Sequence, residues 1–157
     1  MGMYTELYLA VELDKDLPKD LVKFFMELSN DDFGVEENLP TCFQGKTRIA
    51  YMGHMDSYYF DSIPMIDFKY DTISKSYFLT TIFNLKNYED EIDIILNVLT
   101  PYILTKGHIG HMRYEESISP TTLYHIEGKT HKIYPNYDVF KEIGFNDDKG
   151  RYEELEI

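Results

Sequence analysis

A chain of 157 residues, 43% of them hydrophobic, has the size of one domain with one core. Its 28 acids against 15 bases leave a net charge of −13, which argues against a general nucleic-acid-binding role and against anionic membrane surfaces, since both need clustered Lys and Arg. The single cysteine, Cys42, excludes an intramolecular disulfide and fits a reducing, cytoplasmic setting, and no apolar run approaches the ~20 residues of a membrane-spanning helix.

The opening MGMYTELYLAVELD lacks the basic start and unbroken apolar run of a signal peptide, and Glu6 stands where a myristoylation motif wants Ser or Thr. Within it, residues 5–13 alternate. Leu7, Leu9, Val11 and Leu13 fall on one side and Glu6, Tyr8, Ala10 and Glu12 on the other, the pattern of a half-buried strand. A helix follows, with Asp16 as cap, Pro18 in the first turn and a stripe of Leu21, Phe24, Phe25 and Leu28. It dissolves into Ser29-Asn30-Asp31-Asp32. Residues 47–60 read as a strand broken at Gly53, and residues 65–85 as two strands joined by a turn near Asp71–Lys75.

A second helix runs from Asn87, its cap, with Glu89, Asp90 and Glu91 in the dipole-favoured first turn and Tyr88, Ile92, Ile95 and Leu99 as its buried stripe. Pro101 ends it. Next come a strand at 108–116, a turn at 117–120 and a hairpin over 121–134 turning near Glu127-Gly128-Lys129. From about residue 136 the tail is expected to be loosely ordered, with a short helix in YDVFKEIGF. The order β-α-β-β-β-α-β-β-β predicts an α+β fold: an antiparallel sheet with both helices on one face, nearest to a ferredoxin-like core with extra strands.

The densest chemistry lies in GHIGHMRYEES, residues 107–117. Regular alternation sends His108 and His111 to opposite faces, so the pair does not chelate one metal, and two glycines disfavour a helix that would bring them together. A hairpin centred on Gly128 would let His125 and His131 face each other. No CxxC or HExxH signature supports zinc, and NDDFGVEEN lacks the register of a calcium loop, so no metal or cofactor is expected. There is no GxSxG elbow, and the acidic surroundings of Cys42 raise its pKa. QGKT at residues 44–47 resembles the end of a phosphate loop without its upstream glycine. No catalytic residue is assigned.

What remains is surface. From Glu27 to Gly45 there are five acids and no base: Glu27, Asp31, Asp32, Glu36 and Glu37. A field of that sign steers a basic partner inward, although acidity also serves solubility alone. Tyr58 and Tyr59 in DSYYFDS add the residue type favoured at recognition surfaces; an AT-rich coding bias accounts for tyrosine equally well.

The segments MYTELYLAVELDKDLP, ISKSYFLTTIFNLKNYEDEI and HMRYEESISPTTLYHIEG resemble a group of small proteins from phages and other mobile elements of bacteria. The resemblance extends to about Gly128 and rests on general pattern, so it carries over no functional residue. It implies a bacterial cytoplasm and, by context, inhibition of a host protein such as a defence nuclease, in some cases by mimicking nucleic-acid charge.

Three expectations follow. The first is a non-catalytic acidic protein binding a basic host partner through Glu27, Asp31, Asp32, Glu36, Glu37, Tyr58 and Tyr59, together with the acids of the second helix's first turn and the tail. The second is an immunity-type protein against a basic toxin. The third is a small-ligand binder or enzyme with Arg113, Tyr114, Glu116 and His125 in a groove on the uncovered sheet face. A tyrosine-rich open face also makes a homo-oligomer an expectation. No direct nucleic-acid or membrane contact is expected.

Overall fold

The computed structural model describes residues 4–30, 39–52, 60, 62–117, 119–135, 143–146 and 148–154. Six strands, β1 (Thr5–Leu13), β2 (Met65–Asp71), β3 (Ser76–Leu85), β4 (Gly107–Tyr114), β5 (Thr121–Ile126) and β6 (Lys129–Ile133), form one antiparallel sheet in the order β2-β3-β1-β4-β5-β6. Helix α1 (Lys19–Ser29) lies between β1 and β2, and α2 (Glu91–Leu99) between β3 and β4. The first four strands and two helices are therefore a ferredoxin-like βαββαβ unit, and β5–β6 widen its sheet beyond β4.

Alternation along β1 decides which face is covered. Leu7, Leu9, Val11 and Leu13 pack in one core with Leu21, Phe24, Phe25 and Leu28 of α1 and Ile92, Ile95, Leu96 and Leu99 of α2, so both helices sit on the same face. Phe25 meets Phe68 of β2 at 5.4 Å between centroids, and Phe68 stacks on Tyr77 of β3 at 5.2 Å. The end of α1 is tied to β2 through Ser29 Oγ, which accepts from the N–H of Phe68 at 3.3 Å. The amide oxygen of Asn87 accepts from the N–H of Ile92 at 2.9 Å and satisfies one donor of α2's first turn.

Helix α2 begins at Glu91, so Tyr88 of the expected buried stripe precedes it and is 55% exposed. Three further expectations need correcting. Residues 47–60 do not begin as a strand. Thr47–Tyr51 is a 3-10 helix that buries Ile49 and Ala50 under the core, so the apolar positions serve a turn of helix where alternation suggested a strand. The β5–β6 loop has two residues, Glu127 and Gly128, at φ 55° and 76°, as a type I′ turn requires. The pairing is thus centred between them. His125 lies opposite Thr130 and Tyr124 opposite His131, which puts His125 and His131 on opposite faces. Lastly, part of the tail is a hairpin: β7 (Ile143–Asn146) pairs with β8 (Arg151–Glu154), so residues 143–145 are strand where a helix was expected.

Candidate functional site

Between His108 and Gly110 the β4–β5 register shifts. His108 lies opposite Tyr124 and Gly110 opposite Leu123, so three residues of β4 span two of β5. Such a bulge adds one residue and resets alternation. Ile109 and Gly110 both take the helix-covered side, and His111 returns to the side of His108. The two histidines therefore share the open face, against the expectation from a regular strand. Gly110 is required here because a Cβ on it would stand 2.0 Å from the carbonyl oxygen of Tyr8.

This open face carries a band of rings. His111 stacks on Tyr8 with centroids 5.5 Å apart, His108 meets Tyr124 edge-on at 5.6 Å, and His131 pairs across from Tyr124. At one end lies a buried polar cluster. Glu6 of β1 is only 4% exposed although it occupies the face without helices. Its Oε1 is 3.2 Å from His111 Nε2 and 3.6 Å from Arg113 Nη2, and its Oε2 accepts the Ser62 hydroxyl. Phe60 covers the cluster, with the Arg113 guanidinium 4.9 Å from its ring centroid. Arg113 Nε is buried with no hydrogen-bond partner among the described residues.

The connectivity decides what this cluster can do. A nucleophilic serine needs an imidazole as neighbour, with the carboxylate behind it. Here the carboxylate of Glu6 stands between Ser62 and His111, so Ser62 donates to an acid and has no base beside it among the described residues. The arrangement neutralises a buried carboxylate and fastens the chain at Ser62 to the sheet. Neither Glu6 nor Ser62 is distinguishable in the sequence: Glu6 looks like an ordinary outward residue of an alternating strand, and nothing local marks the return of Ser62.

The expected groove residues do not converge. Arg113 is on the open face. Tyr114 lies opposite Thr5 on the helix-covered side, Glu116 is exposed in the turn after β4, and His125 is buried on the helix-covered side. His125 Nδ1 is 3.2 Å from Thr130 Oγ1, which lies 2.8 Å from Thr100 Oγ1, which donates to the carbonyl of Leu96 in α2. Burial and the nearby His131 hold the His125 imidazole below its ordinary pKa of 6.5.

Of the expected docking residues, Glu27 lies on α1, 3.9 Å from Lys23, while Asp31, Asp32, Glu36, Glu37, Tyr58 and Tyr59 lie outside the described residues. Three of the four acids around the start of α2, Glu89, Glu91 and Asp93, are engaged within the fold. Arg48 Nη1 binds the fully buried Glu91 at 2.9 Å, Lys46 reaches Glu89 at 3.6 Å, and Lys132 of β6 pairs with Asp93. Lys46 and Thr47 of QGKT thus lead into an ion-pair lock, not a phosphate cradle. Cys42 is exposed in the 3-10 turn Thr41–Phe43. Crowding around its sulfur and, secondarily, the Asp20 carboxylate push its thiol above the ordinary value.

Among the described residues no group of three or more His, Cys, Asp and Glu is placed to hold a metal ion, and no helix is long and apolar enough to cross a membrane. No protein-family model, curated protein or solved structure matches the chain.

Proposed function

We propose that the protein is a non-catalytic acidic binding protein that occupies a basic surface on a partner and thereby inhibits or sequesters it. The supporting observation is where its charge lies. Ten of the 28 acids but one of the 15 bases, Lys141, fall outside the described residues. Within the described fold, Lys23, Lys46, Arg48, Lys69, Arg113 and Lys132 are all paired with carboxylates. The described residues carry 18 acids and 14 bases, a net charge of −4, whereas the remaining residues carry −9, of which residues 31–37 contribute −4. Charge so placed steers association and favours a basic protein, such as a host nucleic-acid enzyme or a toxin.

The test is capture of a partner by immobilised protein over a salt series, in parallel with the variant Asp31→Asn/Asp32→Asn/Glu36→Gln/Glu37→Gln. Capture that falls steeply between about 0.05 M and about 0.5 M salt, and that the variant loses, supports the proposal. A partner retained at high salt and by the variant overturns it.

A further inference from the structure

Thr5 of β1 lies opposite Tyr114 of β4, and Met112 of β4 opposite Thr121 of β5, so these four residues continue the helix-covered face past Leu7. Asn87 and Tyr88, from the loop between β3 and α2, rise on one side. Ser117 and Ser119, from the turn after β4, rise on the other. Together they bound a cleft of about 490 Å³, inside the range of roughly 300–1,000 Å³ typical of small-molecule sites.

Its described lining is chemically uniform. In a chain that is 27% charged, none of these eight residues carries a charge. Four are Ser or Thr, one is an amide, two are tyrosines, and Met112 supplies an apolar floor. Hydroxyls both donate and accept, and the Asn87 amide group, its oxygen engaged with Ile92, presents donors. Tyr88 is 55% exposed and its ring is held by the Arg48 guanidinium at 5.3 Å from the centroid. Desolvation, then Glu116, Glu115 and Tyr88, push the Tyr114 phenol above its ordinary pKa, so it stays a neutral donor.

From this lining we propose that the cleft between the β3–α2 loop and the β4–β5 turn is a binding site for a neutral saccharide. A sugar ring offers many hydroxyls to Thr5, Asn87, Ser117, Ser119 and Thr121, and an apolar C–H face to a tyrosine ring. Among the described lining residues an anion would meet no cation, and it would face the negative field of Glu115 and Glu116; a cation would meet no carboxylate among them.

The test is amide-resolved NMR titration of the full chain with maltotriose, cellotriose and chitotriose, with galacturonic acid trimer and adenosine as comparators. Saturable shifts from at least one neutral trisaccharide, centred on Thr5, Tyr88, Ser117 and Thr121, are expected. Tyr88→Ala and Tyr114→Phe each weaken that binding about tenfold, the loss of one good contact. Tyr88 is exposed, so its variant keeps the fold, and an unchanged spectrum elsewhere verifies this. Absence of saturable shifts with all three, binding equally tight in both variants, or tighter binding of the acidic trimer or adenosine overturns the proposal.

Discussion

Gly110 lets β4 pass so close to β1 that a methyl group in its place would stand 2.0 Å from the carbonyl oxygen of Tyr8. The neighbouring atom is backbone in the middle of the sheet and cannot swing away. Gly110→Ala therefore forces β1 and β4 apart or abolishes the bulge, at a cost of about 1–3 kcal/mol or more. Urea unfolding reads the loss directly, and a variant within about 0.5 kcal/mol of the parent would refute the close approach.

Glu6 is predicted to stabilise the fold through its partners. Glu6→Gln leaves Arg113 and the Ser62 hydroxyl facing a neutral amide under Phe60, and is expected to cost about 1–3 kcal/mol. Arg113 is partly exposed, which keeps the figure below that of a fully buried pair. A double-mutant cycle with Arg113→Met isolates the pair. Strictly additive losses would mean that Glu6 and Arg113 are not coupled.

The antiparallel sheet, both helices and the covered face were legible because they rest on periodicities long enough to read: period two in β1, and the stripe of Leu21, Phe24, Phe25 and Leu28 in α1. The missed features depend on single residues. One extra residue at Ile109 reverses the histidines. A loop of two residues shifts His125 by one position and carries it to the other face. Thr47–Tyr51 is too short for periodicity to separate a 3-10 turn from a strand. The Glu6 cluster joins positions 56 residues apart in sequence, which no local pattern encodes.

Stability is expected to fall with acid through His125. Its folded-state pKa lies below the ordinary 6.5, so the unfolded chain binds the proton more readily than the fold does. The contribution is complete above pH 6.5 and is lost as pH falls from 6.5 towards the depressed folded value. His125→Gln removes the titrating group. The stability difference between parent and variant should shift against the parent between about pH 7.5 and about pH 5. Parallel pH profiles would contradict a buried neutral imidazole.

The β5–β6 turn leaves room for improvement. Glu127 holds φ at 55° without a side chain suited to it, followed by Gly128 at 76°. Asn tolerates this conformation better, and Asn-Gly is the favoured pair for a type I′ turn. Glu127→Asn is expected to raise stability by about 0.5–1 kcal/mol, and the melting temperature by about 1–4 °C. An unchanged or lower melting temperature would place the turn's strain elsewhere.

The lock between Arg48 and Glu91 predicts the largest loss from an ion pair. Glu91 is fully buried; its Oε1 meets Arg48 at 2.9 Å and its Oε2 accepts the N–H of Glu89 at 3.0 Å. Arg48→Met removes the charge that makes this burial tolerable and is expected to cost about 2–4 kcal/mol, because the carboxylate is left without a counter-ion. Taking away both charges with Arg48→Met/Glu91→Gln should restore part of that loss, since an amide oxygen still accepts from Glu89 and no buried charge remains. Denaturant midpoints for the parent, Arg48→Met, Glu91→Gln and the double variant decide it. A double variant as unstable as the sum of the two single losses would show that the two side chains act independently.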